Sequence, residues 1–121
     1  MNAEIIVVGR QEQVSDSSLR NIEYLREQLK NVGITLSGQA SALTNPGRLE
    51  RMFASALDRS EVVMILGGLG VEKDDIAKDC ICRTLGLSLE LNAEVLSRVK
   101  DYVDRMGKSM NEAYVHQAMF P

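Results

Sequence analysis

The chain has few of the residues from which disulfide frameworks and metal centres are built. Its 121 residues include two cysteines and one histidine. Cys80 and Cys82 are two residues apart on a predicted helix, so their side chains point to different faces and suit neither a disulfide nor a chelate. A CxC pair can bind a metal, but no second cysteine pair accompanies it. We expect both thiols to act as small buried hydrophobic groups and His116 to lie at the surface or in a subunit interface.

The chain also lacks long hydrophobic runs and an excess of positive charge. No apolar stretch approaches the roughly 18 residues that span a bilayer, and the N-terminus has neither a basic region nor a cleavage site typical of a signal peptide. The net charge of −3 gives no support for nucleic-acid binding, which favours a basic face. We therefore expect a cytoplasmic protein without a nucleic-acid or membrane partner. The length and the 45% hydrophobic content suit one domain over residues 1–121.

Hydrophobic periodicity predicts strands that alternate with helices. The predicted strands cover residues 3–9, 34–43 and 61–66. The first helix begins among residues 15–18 and stops at Gly33, the second opens at Asn45–Pro46, and the others cover residues 75–85, 93–106 and 111–119. The second helix has an apolar stripe made of Leu49, Met52, Phe53, Ala56 and Leu57, and Met106 closes the apolar side of the fourth. Alternating strands and helices predict a three-layer α/β/α fold with a mostly parallel sheet.

The strongest functional signal is a glycine turn between the third strand and an acidic segment. Residues 67–70 read Gly-Gly-Leu-Gly and precede Asp74 and Asp75. A buried strand followed by a glycine turn and a helix is a common layout for a ligand site in α/β sheets, because glycine lets a ligand approach bare N–H groups. The alternative is a tight turn without a ligand, with the two aspartates at a helix N-terminus. Both interpretations stay open on these residues alone.

Several segments together resemble a known family, the molybdopterin-binding-like domain of CinA-type competence/damage-inducible proteins. The resemblance rests on the run 3–9, on Gly67–Gly70 with Lys73–Asp75, on the spacing from there to Asn111, and on residues 117–121. It covers essentially the whole chain. It implies the fold of molybdenum-cofactor biosynthesis proteins, and a pterin or nucleotide-like ligand whose phosphate binds at the carboxyl edge of the sheet.

The resemblance also implies roles for individual residues. Gly67, Gly68 and Gly70 would cradle phosphate, and Asp75 would be the main carboxylate, both as a catalytic group and as a ligand of Mg²⁺ or another divalent metal. In CinA-type domains such a cation supports hydrolysis of the pyrophosphate of ADP-ribose, where it neutralises charge and orients a water. The remaining ligand-binding candidates are Asp74, Gly9, Arg10, Ser17 and Asn45.

The chain departs from the family pattern at several of these positions. Gln11 and Asn45 are amides where carboxylates are expected, so they offer carbonyl oxygens but no charge to offset a divalent ion. Arg10 could pair with phosphate instead, since guanidinium binds phosphate well. Lys73 could do the same or be solvated. Family members continue past residue 121 into another strand and loop, so we expect a domain that is incomplete at its C-terminal end.

Three functions remain in competition. The first is a binding domain for a pterin or an ADP-ribose-like nucleotide with weak or no hydrolysis, which the depleted carboxylate set favours. The second is a metal-dependent ADP-ribose pyrophosphatase, and the third is a non-catalytic assembly module. In each case we expect a homo-oligomer, because an incomplete sheet or binding site often finds its cover in a second subunit.

Overall fold

The computed structural model describes residues 1–9, 16–73 and 75–121. The strands are β1 (Asn2–Gly9), β2 (Thr35–Leu43), β3 (Val62–Leu66), β4 (Glu90–Leu91) and β5 (Met119–Phe120). The helices are α1 (Asp16–Asn31), α2 (Pro46–Arg59), α3 (Ala77–Leu85), α4 (Ala93–Arg105) and α5 (Glu112–His116).

A parallel three-stranded sheet in the order β2-β1-β3 forms the centre of the domain. Ile6 in β1 pairs with Ala40 on one side and with Ile65 on the other. Because parallel strands need helical crossovers, both faces of such a sheet are covered by helices. The carboxyl ends of the three strands, and therefore the glycine turn after β3, lie along one edge.

The two faces of the sheet carry separate hydrophobic cores. On one face, Ile5 packs with Ile22 of α1 and with other apolar groups of β1 and β2. On the other face, Ile6 and Val8 pack against α2 and α3 through a cluster that includes Phe53. Phe53 is fully buried, and burial of such a ring contributes about 2–3 kcal/mol to folding. The predicted three-layer α/β/α architecture is confirmed.

Asparagine and glycine residues determine where several helices begin and end. Asn45, Asn92 and Asn111 are the N-caps of α2, α4 and α5, and each side chain accepts a hydrogen bond at 3.0 Å from the backbone N–H three residues later. These bonds satisfy donors that a helix start leaves unpaired. Gly86 ends α3 with a φ of +67°, a left-handed conformation that glycine adopts without strain.

Some predicted boundaries and exposures are wrong. The third helix begins at Ala77 rather than at residue 75, and the last covers only Glu112–His116 rather than 111–119. Met119 instead belongs to β5, which pairs antiparallel with β4. Two-residue strands are too short to show alternation, so this second sheet was not predicted. Leu57 and Met106, placed on apolar helix faces, are exposed.

The structure also bears on the two cysteines and on the lack of long apolar runs. Cys80 and Cys82 are free and buried, as predicted, and burial is the main reason that the pKa of the Cys80 thiol is raised. Within the described ranges, no helix combines the length and the apolar character needed to cross a bilayer.

Candidate functional site

The glycine turn lies directly against the end of β1. Gly67 and Gly68 have φ values of +90° and +72°, which side chains strongly disfavour. A Cβ atom on Gly67 would collide with the carbonyl oxygen of Val8. A Cβ atom on Gly68 would lie 2.8 Å from the Cβ of Ala77 and 3.1 Å from Val8 Cγ1. Both glycines are therefore required by the backbone conformation and by the close approach of the turn to β1 and α3.

Gly70 and Asp75 fix the loop that follows. A Cβ atom on Gly70 would overlap the Oδ2 atom of Asp75. The same Oδ2 accepts a hydrogen bond from the Glu72 backbone N–H at 2.9 Å, and the Asp75 N–H donates to the Glu72 carbonyl at 3.0 Å. The N-cap of α3 is Ile76, so the alternative that Asp75 caps this helix is wrong. Asp75 closes the loop with one oxygen, and its Oδ1 has no recorded partner among the described residues.

A cleft of about 250 Å³ opens beside this loop. We call it the glycine-turn cleft. Its lining comes from the loop, from the start of α3 and from α5: Gly70, Val71, Glu72, Lys73, Asp75, Ile76, Asp79, Ala113 and His116. Three of these side chains are carboxylates and one is a lysine, so the cleft carries a negative charge before any ligand enters.

The C-terminal segment holds one wall of the cleft. His116 Nε2 lies 3.1 Å from Asp79 Oδ1, and Gln117 Nε2 donates to the Gly70 carbonyl at 2.8 Å. The Lys78 ammonium donates to the carbonyls of His116 and Met119, both at 2.7 Å. Burial is the main cause of the lowered pKa of Lys78. These bonds position α5 and β5 against α3 and the glycine turn.

This wall was not predicted from the sequence. Asp79, Lys78 and Gln117 were not singled out, and His116 was expected at the surface or in an interface. Its side chain is 28% exposed and paired with Asp79. The partners are 37 to 47 residues apart, so no local spacing could have indicated them. The sequence held one hint of this wall, because His116 is the single histidine of the chain.

The other predicted site residues are distributed around the carboxyl edge of the sheet. Gly9 is the last residue of β1 and follows Val8, on which the turn packs. Asn45 caps α2, and Ser17 is an exposed residue of the first turn of α1; neither lines the cleft. Lys73 does line it. Arg10 and Asp74 lie outside the described residues, as does Gln11, so their roles stay predictions.

The side chains of the cleft show whether it could bind the magnesium ion that the family resemblance implies. Among the residues that the structure describes, no group of three or more His, Cys, Asp or Glu side chains could hold a metal ion. Mg²⁺ commonly needs less from a protein, because one or two carboxylates suffice when waters and substrate phosphates complete its coordination. Asp75 and Asp79 both line the cleft and meet that smaller requirement.

Comparison with known proteins establishes the family. A family model described as "Probable molybdopterin binding domain" matches residues 4–119. The chain belongs to this family. Proteins named competence-damage inducible protein from Caldicellulosiruptor saccharolyticus and Clostridium tetani are 37% and 35% identical to it over 121 residues. Those residues are all of this chain but only 29% and 30% of the two relatives, so the chain spans less than a third of their length.

Solved structures show the same fold at low sequence identity. The protein CinA of Thermoplasma acidophilum, described as of unknown function, superposes with a TM-score of 0.81 at 22% identity, over 99% of this chain and 70% of that one. Molybdenum cofactor biosynthesis protein B superposes with a TM-score of 0.57 at 13% identity, over 93% of this chain and 67% of that one. The predicted molybdenum-cofactor-biosynthesis-like fold is confirmed.

Proposed function

We propose that the domain binds a phosphate-bearing pterin or ADP-ribose-like nucleotide in the glycine-turn cleft, with weak or no hydrolysis. The observation that carries the proposal is the turn itself. Gly70 of the turn lines a cleft at the carboxyl edge of a parallel sheet, and the left-handed Gly67 and Gly68 hold the turn in place against β1 and α3. In open α/β sheets, ligands bind outside the carboxyl ends of the strands. The family description as a molybdopterin binding domain supports the same ligand class.

The charge of the cleft suggests how a phosphate would be accommodated. Glu72, Asp75 and Asp79 face the cavity together with one lysine, Lys73, so a ligand with two negative charges is opposed unless a cation enters with it. Asp75 is the residue that would hold Mg²⁺, with Asp79 as the second carboxylate of the cleft. The ion would neutralise the phosphate charge. We therefore expect the ligand to bind more tightly with Mg²⁺ than without it.

Hydrolysis is the second candidate function, and the carboxylates of the cleft favour it. A metal-dependent ADP-ribose pyrophosphatase needs a cation and a positioned water, and the His116–Asp79 pair lies in the same cavity. Against efficient hydrolysis, Asp75 already uses one oxygen to close the loop and Asp79 is bonded to His116. Because both carboxylates already accept or share hydrogen bonds within the protein, they form a weak metal site. We therefore propose ligand binding, rather than hydrolysis, as the main function.

A role in assembly is the third candidate, and two exposed residues favour it. Leu69 and Val71 flank Gly70 and are 55% and 40% exposed. Exposed apolar side chains on a turn can mark a contact surface, so the same loop could contact a second subunit of a homo-oligomer in the cytoplasm. Sedimentation equilibrium of the wild type and of a Leu69→Ser, Val71→Ser variant tests this. Loss of self-association in the variant would support the assembly module, and an unchanged mass would contradict it.

The binding proposal is tested by following backbone amide resonances while ADP-ribose is added, with and without Mg²⁺. We expect saturable shifts at Gly67, Gly68 and Gly70 that require lower ligand concentrations when Mg²⁺ is present. A molybdopterin-related pterin phosphate is the second ligand to titrate. Shifts confined to other parts of the domain would place the site elsewhere. An absence of shifts with both ligands would contradict the proposal.

A further inference from the structure

A second cavity, of about 220 Å³, lies between α2 and the sheet and has no lining residue in common with the glycine-turn cleft. Ala40 of β2 forms part of its floor. On the same face, a Cβ atom on Gly38 would lie 3.2 Å from Glu4 Cγ. Small residues in β2 therefore leave room beneath α2. We call this cavity the arginine groove, because its helix side is lined by Arg48, Arg51, Met52, Ser55 and Arg59.

One end of the arginine groove is electrically balanced. Glu4, which is 8% exposed, accepts hydrogen bonds from Arg59 at 2.7 and 2.8 Å and from the Ser60 hydroxyl at 2.6 Å. The bonds from Arg59 are the main reason that the pKa of Glu4 is lowered. Arg59 also donates to Ser55 Oγ at 2.7 Å. Glu4 is thus fully engaged by Arg59 and Ser60, and it does not offset the charge of the other arginines.

The other two arginines of the groove are not balanced. No hydrogen bond or ion pair joins the guanidinium of Arg48 or Arg51 to any residue in the described ranges. The two residues are three apart on one helix, a spacing at which like charges repel. The first turn of α2 contains no acidic residue. Glu50, the nearest carboxylate in sequence, pairs with Arg83 at 2.6 Å. Two neighbouring arginines without a carboxylate partner disfavour folding, and such unfavourable arrangements are typical of functional sites.

We propose that the arginine groove binds a small phosphate-type oxyanion through Arg48, Arg51 and Ser55. Guanidinium groups form paired hydrogen bonds to phosphate oxygens. The Arg51 guanidinium folds back towards the first turn of α2, since its Nη1 lies 3.5 Å from the position that a Cβ on Gly47 would occupy. Ser55 Oγ accepts from Arg59, which leaves the hydroxyl hydrogen to donate to the anion. None of these three residues lines the glycine-turn cleft.

Inorganic pyrophosphate is the probe for this site, in an amide-resonance titration without divalent metal. We expect saturable shifts at Ala40, Met52 and Ser55. In an Arg48→Gln, Arg51→Gln variant we expect the apparent affinity to fall at least about tenfold, because each charge-assisted hydrogen bond contributes on that scale. Arg98→Gln is the matched control, since Arg98 is an exposed arginine of another helix that pairs with Glu94. It should leave the titration unchanged.

Thermal unfolding provides a second measurement that does not depend on resonance assignment. Removal of two repelling charges should leave the melting temperature of the double variant equal to or above that of the wild type. Pyrophosphate should raise the melting temperature of the wild type and not that of the variant. Shifts that do not saturate, or an equal loss of affinity in Arg98→Gln, would overturn the proposal. Shifts at Gly67–Gly70 alone would also overturn it, yet would support phosphate binding at the glycine turn.

Discussion

The glycine-turn cleft and the arginine groove differ in charge and in the elements that build them. The glycine-turn cleft has three carboxylates and one lysine on a loop and two short flanking segments. The arginine groove has three arginines and one glutamate on a helix and two paired strands. Under the two proposals made above, this small domain would present two kinds of phosphate site. The cleft would take phosphate only together with a cation, whereas the groove would take it directly.

The largest expected effect comes from the backbone of the glycine turn. Gly68→Asp should lower the free energy of unfolding by about 3 kcal/mol, because it combines a disfavoured φ with overpacking against Ala77 and Val8. Gly107→Asp is the matched control, since Gly107 has a φ of +69° with nothing within 4 Å of an added Cβ. It should cost about 1 kcal/mol. Urea unfolding of both variants measures the difference, and equal losses would show that the turn does not depend on close packing.

A smaller, pH-dependent loss of folding stability is expected when Glu4, at one end of the arginine groove, is replaced by a neutral residue. The pKa of Glu4 is held below its usual value near 4.5, mainly by the hydrogen bonds from Arg59. The stability from ionised Glu4 is therefore fully present above about pH 4.5 and is lost as the pH falls through the lowered pKa. Glu4→Gln should be less stable than the wild type at neutral pH, and the two should converge on acidification. Urea unfolding from pH 7 to pH 3 tests this, and parallel curves would contradict it.

A loss of ligand affinity of about tenfold is expected when the carboxylate of Asp75 in the cleft is replaced. Asp75→Asn keeps an oxygen that can accept from the Glu72 N–H, so the loop should persist, but it removes the charge that would hold Mg²⁺. We expect the affinity for ADP-ribose in Mg²⁺ to fall about tenfold, which corresponds to about 1.4 kcal/mol. Calorimetric titration measures it, with the exposed Asp101→Asn on α4 as control. An unchanged affinity would remove Asp75 from the site.

The smallest effect on ligand affinity is expected when the hydroxyl group of Ser55 is removed from the arginine groove. Ser55→Ala should weaken pyrophosphate binding about threefold, the scale of one neutral hydrogen-bond donor, and should leave ADP-ribose binding in the cleft unchanged. Fluorescence-detected thermal shifts with each ligand measure both effects. If Ser55→Ala changed the two ligands equally, the two cavities could not be treated as independent sites.

The sequence predicted the fold well because its signals are local. The continuous apolar runs of β1 and β3, the helical spacing in α1, and the caps at Asn45 and Gly86 each depend on neighbouring residues. The glycine turn was also predictable, since left-handed glycines between a strand and a helix leave a recognisable pattern. By contrast, β4 and β5 are two residues each, and the paired residues Leu91 and Met119 are 28 positions apart in the chain, so only tertiary contacts define these strands.

The walls of both cavities depend on such distant contacts. The hydrogen bond from Gln117 to Gly70 and the pair His116–Asp79 join segments that no periodicity connects. The same is true of Glu4 and Arg59, which are 55 residues apart. Asp75 illustrates the limit within a single segment: its place before a helix suggested capping, but the helix begins two residues later and the side chain closes the loop instead.

The most direct test of the proposed function is a phosphorus NMR time course of ADP-ribose mixed with the protein and Mg²⁺. Binding with weak or no hydrolysis predicts pyrophosphate signals that shift or broaden and then remain stable, and that return to their free positions in Gly68→Asp. Monophosphate signals that grow with time, and vanish in Asp75→Asn, would contradict this and identify a pyrophosphatase. Signals identical to those of the free nucleotide would contradict binding of ADP-ribose altogether.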